Sequence, residues 1–278
     1  PIILGSDGSG IVEKVFSSSD QSWVGQEVVI NPSLNWGENE AFQSKEFSIL
    51  GLPQDGTFAE YVKVKVENIH HKPKHLSFEH AAAFPLAGLT AFRALFSRAN
   101  LKPGEKLLII GAGGGVSSFA LLMANLMKAE VYVTSSSKEK IEKAKSLGAS
   151  GGVNYLDENW PEQLQELAGG FDVIIDSALG EGFAHNLDLC NPGGRIVFYG
   201  GTAGNIPQLD GRKIFWKQLS ILGTTMGSPK DFDSLIKFIN EHQLQPIVDS
   251  VYSFKDAENG IRMMDNSEQF GKIVLKMD

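Results

Sequence analysis

The stretch KLLIIGAGGGVSSFALLMANLMKAEVYVTSSSKEK, residues 106–140, constrains the fold of this chain more than any other. An apolar run ends in a loop with four glycines among positions 111–115. A small-residue helical pattern follows over 115–128, and a second β-prone run, EVYVTS, opens at 130. Glycines between a strand and a helix let the backbone turn tightly and approach a charged ligand, while the helix aims its first N–H groups at that charge. The order strand, glycine loop, helix, strand predicts a βαβ unit with a pyrophosphate-sized anion site at the loop. Ser117 stands where a third, spaced glycine is expected, and serine is small enough to take over that residue's helix-to-strand packing.

The alternation continues beyond this unit. A helix over 138–147 closes at Gly148, followed by the strand FDVIIDS (171–177), a helix near 181–190, and the strands GRIVFYG (194–200) and LSILGTT (219–225). Apolar runs interleaved with helices predict an α/β fold with a doubly wound, Rossmann-type parallel sheet. Before it, residues 11–68 carry short β-prone runs such as EVVI (27–30) and FAEYVKVKV (58–66), and helical character begins at the N-cap Ser77. After it, the helix DFDSLIKFINEH (231–242) leads to β-prone PIVDSVYSF and GKIVLKM. The expected organisation is a discontinuous β-rich domain, 1–85 and 226–278, interrupted by a dinucleotide-binding domain, 86–225.

Composition narrows the function classes. Of 278 residues 42% are hydrophobic, enough for a substantial core, and the formal net charge of -8 is spread along the chain. A nucleic acid or an anionic membrane is therefore not an expected partner. Cys190 is the only cysteine, so an intramolecular disulfide and a multi-cysteine zinc site are excluded, and a cytoplasmic setting is expected. No apolar run approaches the roughly 20 residues that span a bilayer. The chain opens at Pro1 on residues that read as a strand entering a glycine turn, and a preceding segment is expected.

The nucleotide follows from the end of the second strand. Enzymes that use unphosphorylated NAD commonly place Asp or Glu there, to accept hydrogen bonds from the adenosine ribose. Here VTSSSKEK offers Ser135 and Ser136, then Lys138 and Lys140. A carboxylate would repel a 2′-phosphate, whereas hydroxyl donors and an ammonium would bind it, so NADP is the expected cofactor. Gly113, Gly114, Gly115 and Val116 are expected to hold the pyrophosphate.

The stretches LGSDGSGIV, GTFAEYV (56–62), PLAGLTAFRAL (85–95), IIGAGGGVS, AKSLGAS (144–150), FDVIIDS and GKIVL occur in an order and spacing that resembles the medium-chain dehydrogenase/reductase superfamily along essentially the whole chain. The chain is most similar to its zinc-independent quinone oxidoreductases and its zinc-type alcohol dehydrogenase-like branch. The resemblance implies a GroES-like substrate domain, a leading segment ahead of Pro1, and a homodimer joined through the edge strand LSILGTT. It also implies that Lys140 and Tyr155 contact the 2′-phosphate and that Thr90 lies beside the nicotinamide. Ser177, Gly200, Gly201 and Thr202 would follow strand ends on the cofactor side, with Gly223, Thr224 and Thr225 near the nicotinamide ribose.

Zinc members carry a Gly-His-Glu signature where this chain has Gly5-Ser6-Asp7, a cysteine ligand near Leu86, and four cysteines in a lobe that corresponds to NPSLNWGENEAFQSKEF. No metal site is expected. His70, His71, His75 and His80 do not supply one, because Pro73 breaks a shared helix face between His71 and His75 and no carboxylate cluster completes a set. The implied reaction is hydride transfer from NADPH to a small-molecule quinone or the β-carbon of an enone, driven by positioning. No catalytic acid is assigned: Tyr61 belongs to an expected strand, and Ser6 and Asp7 to a turn. Zinc-type alcohol dehydrogenase activity and non-catalytic NADPH binding are the two other readings.

Overall fold

A computed structural model of the chain describes residues 1–277, which form two compact units: Pro1–Leu89 together with the segment from Met226 onward, and Thr90–Thr225. The first unit opens with β1 (Ser9–Ile11), β2 (Glu27–Ile30), β3 (Ser33–Leu34), β4 (Ser48–Leu50), β5 (Pro53–Gln54) and β6 (Ile69–His71). β2 is flanked by β1 and β6, both antiparallel, with Ile30 opposite Ile69. β3, β4 and β5 form a second small sheet. Val28, Ile30, Leu34, Leu50 and Ile69 make the apolar centre, and Val62, Val64 and Val66 pack against it.

The run FAEYVKVKV, expected as a strand, forms no ladder. It keeps the burial alternation of a strand, with Val62 and Val64 half-buried and Tyr61, Lys63 and Lys65 exposed, but among the described residues no neighbouring strand pairs with it. Hydrophobic alternation fixes which side chains point inward, and a ladder requires a partner as well.

At the start of this unit the chain passes under the 56–58 turn: Gly56 N donates to Ile3 O and Thr57 N to Gly5 O. A Cβ at Gly56 would fall 2.0 Å from Gly5 O, so the close approach admits glycine alone. Helices α1 (Phe78–Ala83) and α2 (Pro85–Phe92) follow, α1 capped by the Ser77 hydroxyl accepting from His80 N. The proline that separates them cannot donate to the preceding turn.

The second unit alternates throughout: β7 (Lys106–Ile109), α3 (Gly115–Leu126), β8 (Glu130–Ser135), α4 (Lys138–Ser146), β9 (Gly151–Asn154), α5 (Trp160–Ala168), β10 (Phe171–Asp176), α6 (Phe183–Leu189), β11 (Cys190–Phe198), α7 (Gly211–Trp216) and β12 (Ser220–Gly223). The six strands form one parallel sheet in the order β12-β11-β10-β7-β8-β9. Leu107, Leu108, Ile109, Val173, Ile174 and Ile175 are all fully buried, as strands covered on both faces require. The chain winds outward from β7 to β9, then returns to β10 and winds the other way, so the order reverses between β7 and β10. In sheets of this kind ligands bind in the crevice beyond the carboxyl ends of the strands at that reversal.

The return segment contributes α8 (Pro229–His242), β13 (Val248–Ser253), α9 (Ala257–Asp265) and β14 (Lys272–Lys276), with β13 and β14 paired in parallel. Ser228 and Asp231 exchange the reciprocal bonds of a capping box at the start of α8. Among the described residues no helix is long and apolar enough to cross a membrane.

Candidate cofactor site

The glycine loop is tied to the end of β8. Gly111 N donates to Thr134 Oγ1 at 3.1 Å and Ala112 N to Thr134 O at 2.7 Å. Gly113 has a φ of +103° and Gly114, at φ -71° and ψ 161°, is the N-cap of α3, with no side chain capping the helix. Among the described residues the amides of Gly113 and Gly114 donate to no protein acceptor. They and the first turn of α3, including Gly115 and Val116, form a set of backbone donors at the positive end of a helix dipole. Ser117 is buried and its hydroxyl donates to Gly114 O at 2.9 Å; Ser118 does the same to Gly115 O at 2.8 Å. Both hydroxyls satisfy carbonyls behind the loop rather than facing it.

At the carboxyl ends of β8 and β9 the structure brings together Ser135, Ser136 and Tyr155. Ser135 is buried, with Oγ accepting from Ser137 N at 3.2 Å, while Ser136 is exposed. Tyr155 N donates to Ser135 O at 3.1 Å, and Asn154 Nδ2 to Ser136 O at 3.3 Å. Lys140 lies across the glycine loop, close enough that a Cβ at Gly113 would sit 2.8 Å from its Cδ and 3.3 Å from its Nζ. Ser137 caps α4 by accepting from Lys140 N at 3.2 Å. Its hydroxyl also donates to Glu139, and with Glu139's own amide and the neighbouring Lys138 this holds that carboxyl below its usual range.

On the other side of the strand-order reversal, Asp176 ends β10 with its carboxylate buried. Oδ1 accepts from Ala178 N and Leu179 N at 2.6 and 3.1 Å, and Oδ2 from Asn186 Nδ2 at 2.7 Å. This fixes the loop that carries Ser177, which is adjacent to Gly111: a Cβ on that glycine would lie 3.8 Å from Ser177 Oγ. Ser177 O accepts from Thr202 N at 3.2 Å, drawing in the segment of Gly200, Gly201 and Thr202. Burial pushes the Tyr199 hydroxyl above its ordinary range, against a hydrogen bond with Ser177. Gly223 ends β12, and Thr225 closes the unit at the start of the return segment. Thr224 N donates to Phe198 O at 3.0 Å, and Thr224 Oγ1 is buried without a partner. Thr90 is 5% exposed within α2, whereas Ser136 and Thr202 are exposed.

A dinucleotide fits these residues. A cradle lacking side chains, unclaimed backbone donors, an orphaned threonine hydroxyl and a lysine over the loop all lie at the carboxyl edge of one sheet. Thr134, Ser137, Asn154 and Asp176 complete the arrangement and were not singled out in the sequence. For Ser137 a signal was present, a serine directly before a helix with an acid in its first turn.

Zinc does not fit. Asp7, in the Gly-Ser-Asp stretch, accepts from Leu86 N at 2.7 Å through Oδ1 and from the Lys272 ammonium at 2.8 Å through Oδ2, which a metal cation would have to displace. The histidines have separate duties. His70 meets Asp233 at 3.4 Å and Phe232 at 4.8 Å, and burial keeps its imidazole below the usual range. His71 stacks on Trp23, His75 bonds Leu244 O, and His80 bonds Ser77. The first three border a groove of about 900 Å³ together with Trp23 and Lys74. Among the described residues no cluster could hold a metal ion.

A reversing parallel sheet with a glycine cradle at its first turn is the framework of a dinucleotide-binding domain. The chain belongs to the medium-chain dehydrogenase/reductase superfamily: residues 1–74 match the family model described as alcohol dehydrogenase GroES-like domain, and 115–241 the one described as zinc-binding dehydrogenase. It is 33% identical to a zinc-type alcohol dehydrogenase-like protein of Schizosaccharomyces pombe, across 100% of this chain and 83% of that one. It is 30% identical to a crotonyl-CoA carboxylase/reductase of Cereibacter sphaeroides, over 91% of this chain and 67% of the relative. A solved structure of an NAD-dependent alcohol dehydrogenase superposes with a TM-score of 0.90 at 37% identity, covering 100% of this chain and 83% of that one.

Proposed function

We propose that this chain is an NADP-dependent oxidoreductase that reduces a conjugated carbonyl compound, a quinone or an enone, without zinc. A bound reduced nicotinamide supplies the hydride. The protein's part is to hold and orient. The amides of Gly113, Gly114, Gly115 and Val116 receive the pyrophosphate, Ser135, Ser136, Tyr155 and Lys140 the 2′-phosphate, and Ser177, Gly200, Gly201, Thr202, Gly223, Thr224 and Thr225 the nicotinamide end. Thr90 is assigned to the nicotinamide by resemblance alone. A conjugated acceptor takes hydride at its β-carbon and a proton from water, so it needs less carbonyl activation than a simple ketone. The relative named for crotonyl-CoA, an α,β-unsaturated thioester, supports that acceptor class.

The observation that carries the cofactor assignment is the end of β8: Ser135 stands where a ribose-binding acid would, and Lys140 crosses the loop beside it. The relative named as NAD-dependent favours the other dinucleotide, and a titration decides between them. NADPH is expected to bind at least about tenfold tighter than NADH, followed by nicotinamide fluorescence, which corresponds to about 1.4 kcal/mol. Equal affinity refutes the assignment. Lys140→Ala should weaken NADPH about tenfold and leave NADH within about twofold.

We also infer a homodimer through β12. Its outer edge is unpaired among the described residues, and α7, which leads into it, exposes Phe215 and Trp216 at 66% and 82%. A cytoplasmic setting suits the single, buried Cys190.

A further inference from the structure

We propose that Thr134 is a positioning residue that sets the affinity of the glycine loop for its dinucleotide; the proposal rests on the cofactor reading above. β8, the last strand but one of the sheet, runs as Val131, Tyr132, Val133 and Thr134, and Thr134 is fully buried between β7 and β9. A hydroxyl at such a place costs stability unless it is bonded, and a valine of the same shape would pack there at no such cost. What the hydroxyl gains is Gly111 N, at 3.1 Å, while the carbonyl of the same residue takes Ala112 N at 2.7 Å. One residue thus claims the first two amides of the loop and turns them toward β8.

The consequence lies in the next two amides. Those of Gly113 and Gly114 have no protein acceptor among the described residues, and they continue into the uncapped start of α3. With Gly111 and Ala112 pinned, the peptide planes that follow are fixed in orientation before any anion arrives, which lowers the ordering cost of binding. Without the Thr134 hydroxyl, Gly111 N is a part-buried donor that has lost its partner, and the loop can relieve that by rotating the planes it presents. Thr134 touches no ligand and acts through the loop.

Three variants separate this role from simple packing. Thr134→Val keeps the shape and removes the hydroxyl, Thr134→Ser keeps the hydroxyl and removes the methyl, and Thr134→Ala removes both. The readout is the Kd for NADPH by nicotinamide fluorescence, with the melting temperature measured beside it and, once a substrate is in hand, KM for NADPH against kcat. Affinity should follow the hydroxyl: Thr134→Val about tenfold weaker, Thr134→Ser within about twofold of wild type, and Thr134→Ala about tenfold weaker than Thr134→Ser. KM should rise with kcat held within about twofold. Melting temperature should instead follow the methyl, with Thr134→Ser lowered by the cavity it leaves. If Thr134→Val does not fold, the Ser and Ala pair gives the same comparison. Affinity that tracks melting temperature, or that is equal in all variants, overturns the proposal while leaving the cofactor reading intact. Wild-type protein that binds neither NADPH nor NADH overturns both.

Discussion

Gly113 shows at the scale of one residue how the loop is made. At a φ of +103° it occupies backbone space that costs an L side chain about 1–2 kcal/mol, and an added methyl would meet the Lys140 stem at 2.8 Å. Gly113→Ala should therefore lower stability by about 1–2 kcal/mol in chemical denaturation and weaken NADPH binding about tenfold, because the loop and the lysine above it are both displaced. Cys190 makes the opposite case, a reactive group disarmed by its surroundings. Burial pushes its thiol up to about 12, against the pull of Lys217 and Arg195, so the folded protein should resist iodoacetamide at pH 8 and react only when denatured. The glycine positions were legible in the sequence because only a few backbone geometries need them. The work of Ser117 was not: it donates to Gly114 O, a bond that depends on where α3 begins rather than on residue type. Thr134 was hidden for a similar reason, since its partner Gly111 is 23 residues away in sequence and adjacent only once β7 and β8 pair.

At the scale of elements, α6 shows how a short helix is held. It ends at Leu189 without a glycine cap, and Lys217 supplies the missing donors: its ammonium bonds Leu187 O at 2.9 Å, Asp188 O at 2.8 Å and Cys190 O at 2.9 Å. A cation among terminal helix carbonyls satisfies their lone pairs and opposes the dipole. Lys217→Met should destabilise the protein by about 2 kcal/mol in a urea titration, with little effect on NADPH binding. Most elements of the sheet were readable: β8 spans Glu130–Ser135 as the EVYVTS pattern predicts, and α4 opens at Lys138. β9 and α5 are not legible in the sequence. β9 is only GGVN, whose two glycines carry no β propensity, and it exists because β8 offers it an edge. α5 had its signals in plain view, Pro161 in its first turn and Gly169 at φ +70° beyond its end, but the helix pattern between them is mostly polar.

For the molecule as a whole, the ends of the chain are bound back into the first unit by pairs far apart in sequence. Lys272 reaches Asp7, and Lys276 reaches Glu79 at 2.8 Å. The hydrogen bond from Lys276 holds the Glu79 carboxyl at about 2, below its ordinary 4.5. A carboxyl depressed on folding stabilises in full above 4.5 and loses that contribution as pH falls from 4.5 toward 2. Lys276→Met should lower the melting temperature modestly at pH 7, since the pair is partly exposed and screened, and flatten its fall with acid, so that variant and wild type converge as pH falls from 4.5 toward 2. The β-prone runs that flank an alternating middle were legible in the sequence, whereas these ion pairs were not, because charge pattern alone does not say which residues face each other. One segment has a consequence for the protein in solution. Residues 61–65 keep the in-out alternation of a strand without a ladder among the described residues, and such an unpaired stretch invites another chain to add itself. Lys63 and Lys65 stand on the outward positions, where an incoming strand would have to desolvate two ammonium groups. They act as guards against self-association: replacing both by threonine should leave NADPH binding intact while turning a clear solution turbid on warming, as measured by light scattering.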